Sequence, residues 1–138
     1  MGENLFAFVL MPFDNEFGDT YLLEIKSTVE EFGMHAERVD EQVFHREGVL
    51  ERIYNQIDVA DLIIADMSGR NPNVFYEVGY AHAKNKVCLL LNKDATDIPF
   101  DLKHHRHIVY RSIQDLRKKL STDPICGQGR TRETRTAI

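Results

Sequence analysis

Two short stretches, residues 61–66 (DLIIAD) and 87–92 (VCLLLN), are apolar almost without a break, and this restricts the fold more than any other feature of the chain. A strand with one wet face alternates apolar and polar residues, whereas a strand covered on both faces has no reason to. Both runs are too short for buried helices, so they read as central strands of a parallel sheet with helices on either side. Three further β-rich runs, 5–11, 34–39 and 107–110, are interleaved with amphipathic stretches. Leu22, Ile25, Val29 and Phe32 recur at helical spacing and stop at Gly33, a residue that commonly ends helices. Leu50, Ile53 and Ile57 mark a second helix, residues 74–84 a third, and Ile113, Leu116 and Leu120 a fourth. This alternation predicts a flavodoxin-like α/β three-layer sandwich, with a five-stranded parallel sheet in the order 2-1-3-4-5 and right-handed crossovers.

A chain of 138 residues is large enough for one self-sufficient core, which we place in residues 1–122. Residues 123–138 carry Arg130, Arg132 and Arg135 but few apolar residues, and read as a disordered tail or a linker. The net charge of −5 argues against nucleic acid as the main partner, since duplex binding calls for a basic face. Cys88 and Cys126 form neither a CxxC pair nor a disulfide framework. The segment KHHRH (103–107) has no acid or cysteine at zinc-site spacing, so no metal is expected. With no leader and no apolar run long enough for a bilayer, the expectation is a soluble cytoplasmic protein with no membrane partner.

In an open α/β sheet, ligands bind beyond the carboxyl ends of the strands where the strand order reverses, here between the first and third strands. The two loops at that point are the least ordinary in the sequence. Residues 12–20 (PFDNEFGDT) carry two rings, Phe13 and Phe17, that a plain solvated loop would not need and that suit a lid or pocket wall. Residues 67–73 (MSGRNPN) join Asp66 at a strand end to a helix, with Asn73 as the expected N-cap and Glu77 in the first turn.

Glu77 is the foremost catalytic candidate. A first-turn glutamate can simply complement the helix macrodipole, an effect of about 0.3–1 kcal/mol. Against that, Phe75, Tyr76, Val78 and Tyr80 surround it, and Gly79 suggests close approach by a ligand or a neighbouring backbone. Breaking an N-glycosidic bond places positive charge on the sugar carbon, which a glutamate can stabilise or capture covalently. Asp66 fits two roles, a hydrogen bond to base or ribose, or a cap on the following turn. Asp40, beside Arg38 in RVDE, fits either a ribose contact or a surface ion pair. Ser68 could present an N–H to an anion, Arg70 and Arg46 could grip phosphate, and Asn71 and Asn73 could orient ribose or base. No GxGxxG or Walker pattern accompanies them, so no resident cofactor is expected.

The motif of an apolar run ending in Asp66, a loop, and YEVGYAHAKNKVCLLL resembles nucleoside 2-deoxyribosyltransferases and deoxynucleotide N-hydrolases. The combination of FVLMPFDNEF, RVDE and DMSGRNPNVFYEVGYAHA over about residues 5–110 also looks like bacterial TIR-like proteins. The resemblance implies a nucleoside, nucleotide or NAD-like ligand, with NAD as a substrate and not a cofactor, and it places Glu77 at the catalytic glutamate. It further implies a homodimer that completes its sites across the interface, with Tyr76, Tyr80 and His82 as interface candidates. By that resemblance the deoxyribosyl enzymes carry a tyrosine on the first strand, where this chain offers Phe8 or a neighbour, and an aspartate in the second helix about where Ile53 stands. Those departures point toward another nucleotide chemistry, or toward ligand sensing in a signalling or defence module.

Overall fold

The computed structural model describes residues 5–12, 20–41, 48–98 and 107–123. Phe13, Phe17, Arg46, residues 103–106 and the polar tail lie outside the described residues. Within them the chain runs β1 (Leu5–Leu10), helix α1, β2 (Met34–Arg38), α2 (Val49–Val59), β3 (Leu62–Asp66), α3 (Pro72–Ala83), β4 (Cys88–Asn92), β5 (His107–Val109) and α4 (Ile113–Thr122). Helix α1 is composite, π-helical over Thr20–Lys26 and α-helical over Ser27–Glu31. Short 3-10 turns at Val39–Glu41, Ser68–Arg70 and Ala95–Asp97 follow β2, β3 and β4.

All neighbouring strands pair in parallel, in the order β2-β1-β3-β4-β5. The predicted architecture is therefore observed, with each strand boundary within a residue of its expected place. Side chains of successive residues leave a strand on opposite faces, and the central strands are apolar on both. Ala7, Val9, Leu62 and Ile64 pack against Tyr21, Ile25 and Val29 of α1 and Leu116 and Leu120 of α4. Phe8, Leu10, Ile63 and Ala65 pack against Ile53 and Ile57 of α2 and Val74, Val78 and Ala81 of α3. The sheet thus separates two apolar layers, one under α1 and α4 and one under α2 and α3. No helix among the described residues is long and apolar enough to cross a membrane, and none of their acidic, histidine or cysteine groups cluster as a metal site would require.

Helices α2 and α3 are joined directly. The rings of Tyr54 and Tyr80 stack with centroids 4.3 Å apart, and the Tyr80 hydroxyl donates to Asp58 over 2.9 Å. Lys86, just past α3, reaches the carbonyls of Asp58 and Ala60 at 2.6 and 3.1 Å, giving the last carbonyls of α2 a charged donor.

Candidate active site

Beyond the carboxyl end of β1, on the α2/α3 side of the sheet, lies a cleft of about 340 Å³. Phe8, Leu10 and Met11 come from β1 and the residue after it. Val39 borders the cleft beside them, Leu50 and Ile53 come from the first turns of α2, and Asn71, Asn73, Val74 and Glu77 from the start of α3. The location is the reversal point anticipated from the strand order.

The geometry at the start of α3 differs from the expected one by two residues. Asn71, not Asn73, is the N-cap: its Oδ1 accepts from the N–H of Asn73 at 2.9 Å and of Val74 at 3.2 Å. Pro72 occupies the first helical position, where its missing N–H costs nothing. Asn73, released from capping, is on the cleft wall. The same correction moves Glu77 into the second turn, since the helix starts at Pro72. The macrodipole effect fades within the first turn, so it does not explain a glutamate here.

Glu77 is 8% exposed and makes no hydrogen bond or ion pair with any described residue. Burial pushes its carboxyl up to about 7, because the charged form loses water without gaining a donor. A buried carboxyl with no described partner, in a largely apolar cleft, holds a high-energy charge when ionised, and its field within the cleft is screened little.

Asp66 is fully buried but leaves β3 on the other face, in register with Leu62 and Ile64, which pack under α1 and α4. It does not line the cleft. Its Oδ1 accepts from the Ser68 N–H at 3.0 Å and its Oδ2 from the Tyr110 hydroxyl at 2.5 Å. Burial raises its pKa on balance, and those bonds only partly offset the rise. Of the two roles the sequence left open, the geometry shows the turn cap. Ser68 is buried, and its Oγ accepts from the Lys93 N–H at 2.8 Å. Arg70, at a left-handed φ of 55°, donates to the Thr96 carbonyl at 2.7 Å. Neither lines the cleft; together they tie the loop after β3 to the loop after β4.

Asp40 also stands away from the cleft lining, with both oxygens engaged by Arg38, Nε at 2.9 Å and Nη2 at 2.6 Å. The ion-pair reading of RVDE is the one observed, with the Arg38 guanidinium lying 4.7 Å from the Tyr21 ring centroid. Gly79 is exposed, and a Cβ added there would meet nothing within 4 Å, so the expected close approach is not found among the described residues. Tyr76 is 64% exposed, whereas Tyr80 is occupied by Tyr54 and Asp58.

The structure therefore brings Glu77, Asn71 and Asn73 together and leaves Asp66, Ser68, Arg70 and Asp40 outside. The apolar half of the cleft was not singled out as a site. Ile53 and Leu50 sit on the helical spacing that marks α2, which would have flagged its sheet-facing side, and Phe8 and Ile53 came forward only where the family resemblance breaks. Both of those positions line the cleft.

No family model matches the chain, and no curated protein matches it in sequence. Solved structures do. The 2-deoxyribosyltransferase of Bacillus psychrosaccharolyticus superimposes with a TM-score of 0.63 at 15% identity, covering 81% of this chain and 90% of that one. The CMP N-glycosidase of Clostridium botulinum superimposes with a TM-score of 0.65 at 22% identity, covering 86% of this chain and 99% of that one. These neighbours speak to the deoxyribosyltransferase side of the resemblance and lend nothing to the TIR-like side. At such identities the likeness is one of architecture: the chain shares its five-stranded α/β fold with these two enzymes.

Proposed function

We propose that the chain binds a nucleoside or nucleotide in the β1 cleft and cleaves, or transfers across, its N-glycosidic bond, with Glu77 as the catalytic group. The observation that carries this reading is the Glu77 carboxyl, buried on the cleft wall with no described partner and held near a neutral pKa. As the C–N bond breaks, its electron pair leaves with the base and positive charge develops on the anomeric carbon. A carboxylate facing that carbon stabilises the charge or forms a covalent ester, and water or a second base then takes the sugar. The shared fold of a deoxyribosyltransferase and a CMP N-glycosidase supports the reaction class by analogy. Asn71 and Asn73 orient the ligand in this scheme. Asp66 positions the loop and touches no substrate.

The second reading is a nucleotide-sensing module without turnover. What favours it is the cleft itself, lined by Phe8 and Ile53, which the resemblance sets about where the deoxyribosyl enzymes carry a tyrosine and an aspartate. A homodimer belongs to both readings: Val49 and Leu50 at the cleft lip on α2 and Tyr76 on α3 expose apolar surface that a second copy would cover. The deciding experiment incubates wild type and Glu77→Gln with nucleosides, deoxynucleosides, their monophosphates, NAD and NADP, following base release by chromatography. Glu77-dependent release establishes the glycosidase; release by both proteins refutes the role of Glu77. Binding without release moves the assignment to the sensor.

A further inference from the structure

The side-chain amide of Asn71 is committed at one end. Its oxygen accepts the two N–H groups that cap α3, and an amide nitrogen cannot replace it there, so the cap fixes which way the amide faces. Asn71 is also half-buried on the cleft wall, and its Nδ2 makes no hydrogen bond with any described residue. The group left for the cleft is thus an N–H pair, a donor without its acceptor. Glu77 on the same wall is its complement, acceptor-only when ionised.

We infer that Asn71 is a specificity-determining residue whose Nδ2 donates to a neutral oxygen of the ligand, a sugar hydroxyl or a base carbonyl, with its direction set by the helix cap. This rests on the reading of the cleft as a nucleoside site. The helix cap makes the ligand contact rigid, since rotating the amide to present its oxygen would uncap α3. A site built on a fixed donor discriminates strongly against ligands that offer no acceptor there, because the donor is then left buried and unpaired.

Capping and donation can be separated. Aspartate and serine cap helices about as well as asparagine, and neither carries an amide N–H. Asn71→Asp and Asn71→Ser, with Glu77→Gln for comparison, would be measured by melting temperature and by calorimetry with cytidine, 2′-deoxycytidine and their 5′-monophosphates. Both Asn71 variants should melt within about 2 °C of wild type and bind the probes that wild type binds roughly tenfold or more weakly. Asn71→Asp should also move the pH profile of base release to higher pH, since a new carboxylate on the same cleft wall makes Glu77 harder to ionise; Asn71→Ser should not. Affinity within twofold of wild type in both variants overturns the inference, and so does an affinity loss matched by an equal loss of melting temperature in both. Wild type that binds through Asn71 but releases no base removes the glycosidase reading and keeps this one. Base release at wild-type rates and affinities in both variants does the reverse. If no probe shifts the wild-type melting temperature, both are overturned.

Discussion

Asp66 and Glu77 stand at either end of the same loop and helix start, both withdrawn from water, and they have met opposite fates. Asp66, under α1 and α4, has a donor on each oxygen, one from its own turn and one from Tyr110 beyond β5. Glu77, under the cleft mouth between α2 and α3, has none among the described residues. Folding stabilises a buried carboxylate by surrounding it with donors, and where it does not, the missing donor is left for something else to supply or exploit. The first arrangement is architecture. The second leaves the charge costly, and under the proposed function it is what a cation-like sugar would meet.

The sharpest break between the two is kinetic. Glu77→Gln keeps size and shape but removes the charge, and base release should fall by about 10³-fold with ligand affinity held within about tenfold. Single-turnover assays at saturating substrate check this. Asp66→Ala should do its damage to stability, by about 3 kcal/mol in urea unfolding, because the Tyr110 hydroxyl and the Ser68 N–H are both left buried and unpaired. An Asp66→Ala protein of wild-type stability would dissolve the contrast.

A third test uses pH. The Glu77 pKa is raised on folding, from 4.5 to about 7, so the folded state holds its proton more tightly than the unfolded one. Below pH 4.5 the group is protonated in both states and costs nothing. Between pH 4.5 and 7 stability falls as pH rises, reaching a deficit of up to about 3 kcal/mol above pH 7. Glu77→Gln should therefore be more stable than wild type at pH 8 and equal to it at pH 4, measured by denaturant midpoints at each pH. If the carboxylate is the active form, wild-type turnover should rise around the folded-state pKa of about 7, from roughly pH 6 to 8. The smallest effect is Tyr110→Phe, which removes one of the two donors to Asp66 and should cost about 1 kcal/mol without altering ligand binding.

The sheet order was legible because central strands buried on both faces leave an unmistakable apolar run, and the alternation with helices permits few topologies. The same property hid the fate of Asp66. A strand apolar on both sides carries no polar alternation to say which face its terminal residue takes, so period-2 counting from Ile64 places Asp66 opposite Ile63 and Ala65 but not in or out of a site that is not yet located. The Asn71 cap was legible in principle: proline favours the first helical position, which makes the residue before it the cap, and two asparagines flanking Pro72 invite the wrong choice. The partners of Ser68, Arg70 and Asp66 lie 25 to 44 residues away in the chain, in the loop after β4 and the residue after β5. No local pattern announces such distant hydrogen bonds. Glu77 stood out in the sequence because the residues around it are largely apolar and aromatic.

The stacked Tyr54 and Tyr80 rings, with Lys86 holding the end of α2, bear on how a ligand could enter. Those contacts weld the two helical walls of the cleft into one body, so prising α2 from α3 would cost the aromatic stack, the Asp58 bond and the charged contacts to two carbonyls together. The spacing between Ile53 and Glu77 is then a set gauge, and under the proposed function a ligand would meet the wall bearing the carboxyl at one width.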